Sequence, residues 1–199
     1  MHTACAVPAA IIRPPVQIRQ AGFFLTGVRR LRWNLISCGR HARSGEAVDK
    51  KAKKKILQMI PYGAYVVGTK TKQGTDHLMF GTWLMQTSFK PPLVAFALSE
   101  DSRTLANVRE SKSFAVSFLA DGMYAVAEGI VDGSFKNVKT ERTPSGLPVV
   151  AGAAGWIDCR VLEISEKGDH RIALAEVVEV ASGPGKLMPL DALKWHYGG

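Results

Sequence analysis

Two long alternating runs, Ala154 to Ile164 and His170 to Ala181, are separated only by a short polar turn at Glu166 to Asp169. So short a link cannot house a crossover connection, so the two runs pair antiparallel as a hairpin. Trp156, Asp158 and Arg160 fall on one face, and Ile157, Cys159 and Val161 on the other. Similar punctuation recurs upstream. Gly63 opens a Val- and Thr-rich strand from Ala64 to Lys70, and Lys72-Gln73-Gly74 turns the chain. Asp76 to Gln86 reads as a second strand, broken off by Pro91-Pro92. Leu93 to Leu98 reads as a strand buried on both faces, and Ser113 to Leu119 as another. Short helices are expected from Lys51 to Ile60 behind an Asp49 cap, from Thr104 to Ser111 behind Ser102, from Met123 to Gly129, and near Pro189 to Lys194. Asp132 to Pro148 reads as loop. No regular helices separate the strands, which argues against a doubly wound parallel sheet and for a small, mainly β, antiparallel barrel in an α+β context.

Charge divides the chain. Up to Lys55 there are 12 Lys and Arg against 2 acidic residues; the remainder holds 14 basic and 15 acidic residues. The net +9 therefore sits on the first stretch, and the folded part is nearly neutral. Residues 1–48 read as a basic, disordered leader or a mis-assigned start; an organellar transit peptide is the alternative. The domain is expected over residues 49–199. A nucleic-acid-binding barrel is disfavoured, because the core lacks a basic, aromatic-studded strand surface. No apolar run approaches the ~20 residues that span a bilayer, so the chain reads as soluble; a cytoplasmic location is expected, with organellar import if the leader is real. Cys5, Cys38 and Cys159 form no CxxC pair, so neither a disulfide framework nor a metal site is expected. Cys159 reads as a small core residue.

Three segments carry chemistry. In Phe80 to Pro92 (FGTWLMQTSFKPP), Gly81 lets a ligand approach the backbone, and Thr82, Gln86, Thr87 and Ser88 offer polar contacts around Trp83 and Leu84. The bland reading is an edge strand followed by a turn. Ser102, Arg103 and Thr104 open a helix, where free N–H groups and a guanidinium suit phosphate; the bland reading is an ordinary cap beside a surface Arg. Gly168-Asp169-His170 is a hairpin turn whose histidine is either structural or functional.

The order YGAYVVGTK, GTWLMQTSFKPPLVAFAL, SEDSRTL, FAVSFL and GDHRIALAEVVEV resembles the flavin reductase-like family of FMN-binding split barrels, over about 150 residues and on to the terminal YGG. The resemblance implies an antiparallel split β-barrel forming a homodimer. It also implies FMN, with FAD as the alternative, and NADH or NADPH as donor to flavin, a ferric complex or another acceptor. On that resemblance Gly81, Thr82, Trp83, Leu84, Gln86, Thr87 and Ser88 contact the flavin, Ser102, Arg103 and Thr104 its phosphate, and His170 assists hydride transfer. Many relatives carry Thr-Ala-Asn where this chain has Phe80-Gly81-Thr82, leaving the Thr82 hydroxyl in place of the amide. Trp195 and Tyr197 either cover the ring or anchor the tail, and Phe135 and Lys136 lie on a loop that closes over the site or meets a partner subunit. A flavin-binding electron-transfer module fed by a protein partner is the alternative function. A pyridoxamine-phosphate oxidase relative shares the fold, but the GDH hairpin and terminal YGG argue against it.

Overall fold

The computed structural model describes residues 48–134 and 138–193. Tyr197, Trp195, Phe135 and Lys136 lie outside them. The elements are α1 (Lys50–Leu57), β1 (Tyr65–Lys70), β2 (Asp76–Gly81), β3 (Leu84–Phe89), β4 (Pro92–Ser99), α2 (Arg103–Ser111), β5 (Ser113–Phe118), α3 (Tyr124–Val131), β6 (Thr140–Arg142), β7 (Pro148–Val150), β8 (Gly155–Ile164), β9 (His170–Ser182) and a final 3-10 turn, Leu190–Leu193. Seven strands form one antiparallel sheet in the order β2-β1-β5-β8-β9-β4-β3, and β6 pairs with β7.

The sheet must close on itself. Its two edge strands, β2 and β3, are consecutive in the chain and joined by Thr82 and Trp83 alone. Six inter-strand gaps in a flat sheet would separate the edges by about 29 Å, whereas the link from Gly81 to Leu84 reaches at most about 10 Å. The sheet therefore curls into a barrel whose seam lies at that link. The single strand expected from Asp76 to Gln86 is thus two strands on opposite edges. The chain leaves one ladder at Gly81 and joins the other at Leu84, paired with Phe96.

Inside the barrel, Val67, Phe96, Leu98, Leu105, Val108, Phe114, Val116 and Cys159 form the main core. A second cluster under α3 gathers Ala64, Val66, Leu78, Leu119, Ile130 and Met188. Adjacent Val66 and Val67 enter different clusters, so β1 is buried on both faces. β4, expected to be buried on both faces, is buried on one: Val94, Phe96 and Leu98 point inward, while Leu93, Ala95 and Ala97 are half-buried outside. The stretch expected as loop from Asp132 to Pro148 contains β6 and leads directly into β7. Their hairpin is pinned by the Ser145 hydroxyl, which donates to the buried Asp158 carboxylate. Asp49 caps α1 as expected, its Oδ1 accepting from the N–H groups of Lys51 and Ala52 at 2.9 and 3.3 Å. The helix stops at Leu57, short of Ile60, and buries none of its residues. Among the described residues no helix is long and apolar enough to cross a membrane.

Candidate functional site

The barrel seam is also where a cavity opens. About 320 Å³ of space is lined by Met79, Phe80, Gly81, Thr82, Trp83, Ala97, Ser99, Val131, His170 and Leu190. Gly81 is required there by packing, because a Cβ would lie 2.7 Å from Cζ of Phe96. Thr82 is 6% exposed. Its hydroxyl finds no hydrogen-bond partner among the described residues. The link itself is held by its backbone: the Leu84 N–H donates to the Thr82 carbonyl at 3.2 Å, and the Ala97 N–H to the Trp83 carbonyl at 3.0 Å.

Trp83 stands between two hollows. Its ring centroid is 4.7 Å from that of His170 and 6.1 Å from that of Tyr62. Beyond it, a second hollow of about 360 Å³ is lined by Pro61, Tyr62, Leu84, Met85, Ala95 and Ile172, and shares Thr82, Trp83 and Ala97 with the first. Leu84 thus borders the adjoining hollow.

His170 opens β9 opposite Ser99 of β4. It follows a tight turn in which Gly168 adopts φ 87°, in the left-handed region open to glycine. Nδ1 of His170 lies 3.1 Å from Oδ1 of Asp169. That hydrogen bond, with the charge of the imidazole, holds the Asp169 carboxyl below the usual range.

The other expected contacts are placed differently. Gln86, Thr87 and Ser88 run away from the cavity along β3, where a bulge falls between Gln86 and Ser88. The Gln86 amide donates to the Ser88 carbonyl at 3.2 Å. Ser102 caps α2: its hydroxyl accepts from the Leu105 N–H at 3.1 Å and donates to the carbonyl of Ser99, a cavity residue, at 2.8 Å. Arg103 is exposed, and Thr104 is fully buried with its hydroxyl 3.1 Å from Nε2 of His77. Burial, then the Arg103 charge, lowers the His77 pKa. The expected residues brought together at the cavity are therefore Gly81, Thr82, Trp83 and His170.

Sequence reasoning did not single out Met79, Ala97, Ser99, Val131 or Leu190. Met79 was recoverable from alternation, since it shares a strand face with Gly81. Val131 and Leu190 arrive through long-range packing and carry no local signal. Among the described residues no cluster of three or more His, Cys, Asp or Glu could hold a metal ion.

At the seam of this split barrel, an aromatic wall, a histidine and a buried hydroxyl without a partner among the described residues line one cavity. The flavin reductase like domain matches residues 57–197, and the chain belongs to that family. It is 26% identical over 137 residues to a flavin reductase of Pseudomonas putida, a match covering 67% of this chain and 81% of that protein. It is 32% identical over 134 residues to the reductase component of 4-hydroxyphenylacetate 3-monooxygenase of Thermus thermophilus, covering 67% and 86%. Among solved structures it resembles an NADH:FAD oxidoreductase of Streptomyces globisporus with a TM-score of 0.63 and 28% identity, covering 74% of this chain and 90% of that one. The protein is an oxidoreductase of the flavin-reducing kind.

Proposed function

We propose that the seam cavity receives the isoalloxazine ring of FMN, with FAD as the alternative, and that NADH or NADPH reduces it. The observation that carries this reading is the buried Thr82 hydroxyl, without a partner among the described residues, in a mainly apolar cavity beside Trp83 and His170. A buried hydroxyl without a partner is costly, and a ring carbonyl or ring N–H would satisfy it. Gly81 serves the site through packing, its missing Cβ leaving room for the buried Phe96 ring behind the cavity wall. A volume of about 320 Å³ lies at the small end of ligand pockets. It suits a ring system, while a phosphate tail lies outside, toward Ser102, Arg103 and the N-terminus of α2. Thr104 contributes there through its backbone, its hydroxyl being engaged by His77.

When bound, the flavin supplies a ring that accepts a hydride from the nicotinamide. The chain supplies the rest. Trp83 walls the ring pocket and keeps water from one side. His170 lies at the cavity rim, where an imidazole can orient a nicotinamide amide or offset negative charge on a reduced ring. Leu84 and Tyr197 complete the ring contacts in this reading, whereas Gln86, Thr87 and Ser88, which run along β3 away from the cavity, meet only the part of the ligand that extends beyond it.

A homodimer is part of the proposal. Met85, Ala95 and Leu174 stand side by side in register on the outer face of the sheet, with Ile172 next to them. Met85 is 63% and Ile172 48% exposed, an apolar face suited to a second copy. Delivery of electrons to a separate protein acceptor, in the cytoplasm, completes the reading. The relative from Thermus thermophilus, named as the reductase component of a monooxygenase, supports it.

The test is the visible spectrum of protein purified without added flavin, followed by anaerobic NADH or NADPH. Yellow protein that bleaches supports the reductase, and the faster donor identifies the nucleotide. Yellow protein that does not bleach selects the partner-fed electron-transfer module. Colourless protein that takes up neither FMN nor FAD refutes flavin binding.

A further inference from the structure

The turn that carries His170 is tied down from two sides. Arg171, the next residue, is only 8% exposed. Its Nη1 donates to the Gly168 carbonyl at 2.6 Å, its Nη2 donates to the Glu100 carboxylate, and its Nε lies 3.8 Å from the Glu166 carboxylate. Glu100 belongs to the loop between β4 and α2, and its own N–H donates to the Asp169 carbonyl at 3.0 Å. On the far side, Arg109 in the last turn of α2 donates to both oxygens of Glu166, at 3.2 and 3.4 Å. Gly168, Asp169 and Arg171 are thus all fixed, and His170 is the residue they enclose. A buried guanidinium is unfavourable unless its donors are paired; both Nη groups are, while Nε has only the longer-range ion pair to Glu166 and no hydrogen-bond partner among the described residues. Its planar fork can hold a carbonyl and a carboxylate at once, which a lysine ammonium cannot do in the same geometry.

We propose that Arg171 is a positioning residue: it locks the Gly168-Asp169-His170 turn to the β4–α2 loop and so holds the His170 imidazole against Trp83 at the cavity wall. This rests on the reading of the cavity as the flavin site with His170 assisting reduction. Arg171 touches no ligand itself. Its contribution passes through His170, so it governs turnover rather than flavin affinity.

Four variants test this: Arg171→Gln, Arg171→Lys, His170→Ala, and Arg171→Gln combined with His170→Ala. Arg171→Gln should lower kcat about tenfold, as expected for a sub-ångström to ångström misplacement of an assisting group. Flavin Kd should change by no more than about twofold, and Arg171→Lys should recover part of the loss. In the His170→Ala background, Arg171→Gln should cost nothing further, because the two act as one unit. In flavin-free protein, amide exchange at Glu100 and across 166–170 should quicken about tenfold in Arg171→Gln, reporting local opening of the turn. If Arg171→Gln does not fold, Glu100→Gln loosens the same clamp from its half-exposed side and should give the same pattern. Additive losses in the double variant, unaltered exchange, or a parallel loss of flavin affinity overturn the positioning role. An unchanged kcat in His170→Ala removes the role of His170 and the inference with it. Failure of the parent protein to bind flavin refutes the reading of the cavity instead.

Discussion

Thr82→Val separates a hydroxyl kept for a ligand from one kept for the fold. Valine nearly matches threonine in shape, so the substitution removes the Oγ1 and little else. In flavin-free protein that atom is buried without a hydrogen-bond partner among the described residues. An unsatisfied buried hydroxyl costs about 1–3 kcal/mol. Its position beside an open cavity lets water offset part of that. Thr82→Val should therefore stabilise the flavin-free protein by up to about 1 kcal/mol, or about 3 °C in Tm for a domain of this size. Flavin binding should move the other way. Losing one hydrogen bond of about 0.5–1.5 kcal/mol weakens Kd roughly two- to tenfold. Thermal unfolding without flavin and a flavin-fluorescence titration read the two effects separately. If Thr82→Val destabilises the flavin-free protein and leaves flavin affinity unchanged, the hydroxyl belongs to the fold and the argument from it collapses.

Gly81→Ala should destabilise the protein by about 1–3 kcal/mol through overpacking, because the new methyl meets the buried Phe96 ring at 2.7 Å; urea denaturation measures this, and an unchanged midpoint would mean that Phe96 has slack. Cys159 is fully buried, and burial, followed by the neighbouring Asp158, pushes its thiol from 9.0 up to about 12. Between those values the unfolded chain releases a proton that the folded chain keeps, so this group lowers stability as pH rises above 9.0. Denaturation from pH 8 to 11 should show a shallower decline in Cys159→Ala than in the parent, and identical slopes would refute the assignment. His77 behaves oppositely: its pKa lies below 6.5 in the fold, chiefly through burial and then through Arg103. The unfolded state gains a proton first as pH falls, so stability present above 6.5 is lost below it, and His77→Gln should blunt that acid loss in urea titrations at pH 5 and pH 7. An equal acid loss in both proteins counts against it.

The parts of the fold legible in the sequence were those set by neighbours in the chain. The β8–β9 hairpin follows from alternation around a short turn, and Ser102 and Asp49 cap their helices because short polar side chains compete for free N–H groups. The break between β2 and β3 was not legible. Apart from Gly81 nothing in Asp76 to Gln86 interrupts a strand pattern, and what splits it is the pairing of its halves with β1 and β4. β6 was hidden because Thr140, Glu141 and Arg142 are all exposed and show no alternation. The apolar run in β4 was over-read, since its outer residues are only half-buried in a single chain. At the site, Gly81, Thr82, Trp83 and His170 converge from two separate motifs, whereas Arg171 read as an ordinary strand residue until Glu100 and Gly168 closed around it.

The same two residues close the barrel and build the site. A sheet joined edge to edge by Thr82 and Trp83 cannot continue its ladder across the seam, so β2 and β3 are not bonded to one another there. An unpaired seam is a liability in a β-protein unless something covers it. Here Trp83 fills part of the gap, and in the rest the Thr82 hydroxyl has no partner among the described residues. A planar, polar-edged ring is the kind of ligand that would both occupy the gap and satisfy that hydroxyl. The cavity is therefore a consequence of how the chain closes its barrel. Lengthening the link would relieve the closure and displace Trp83 from His170.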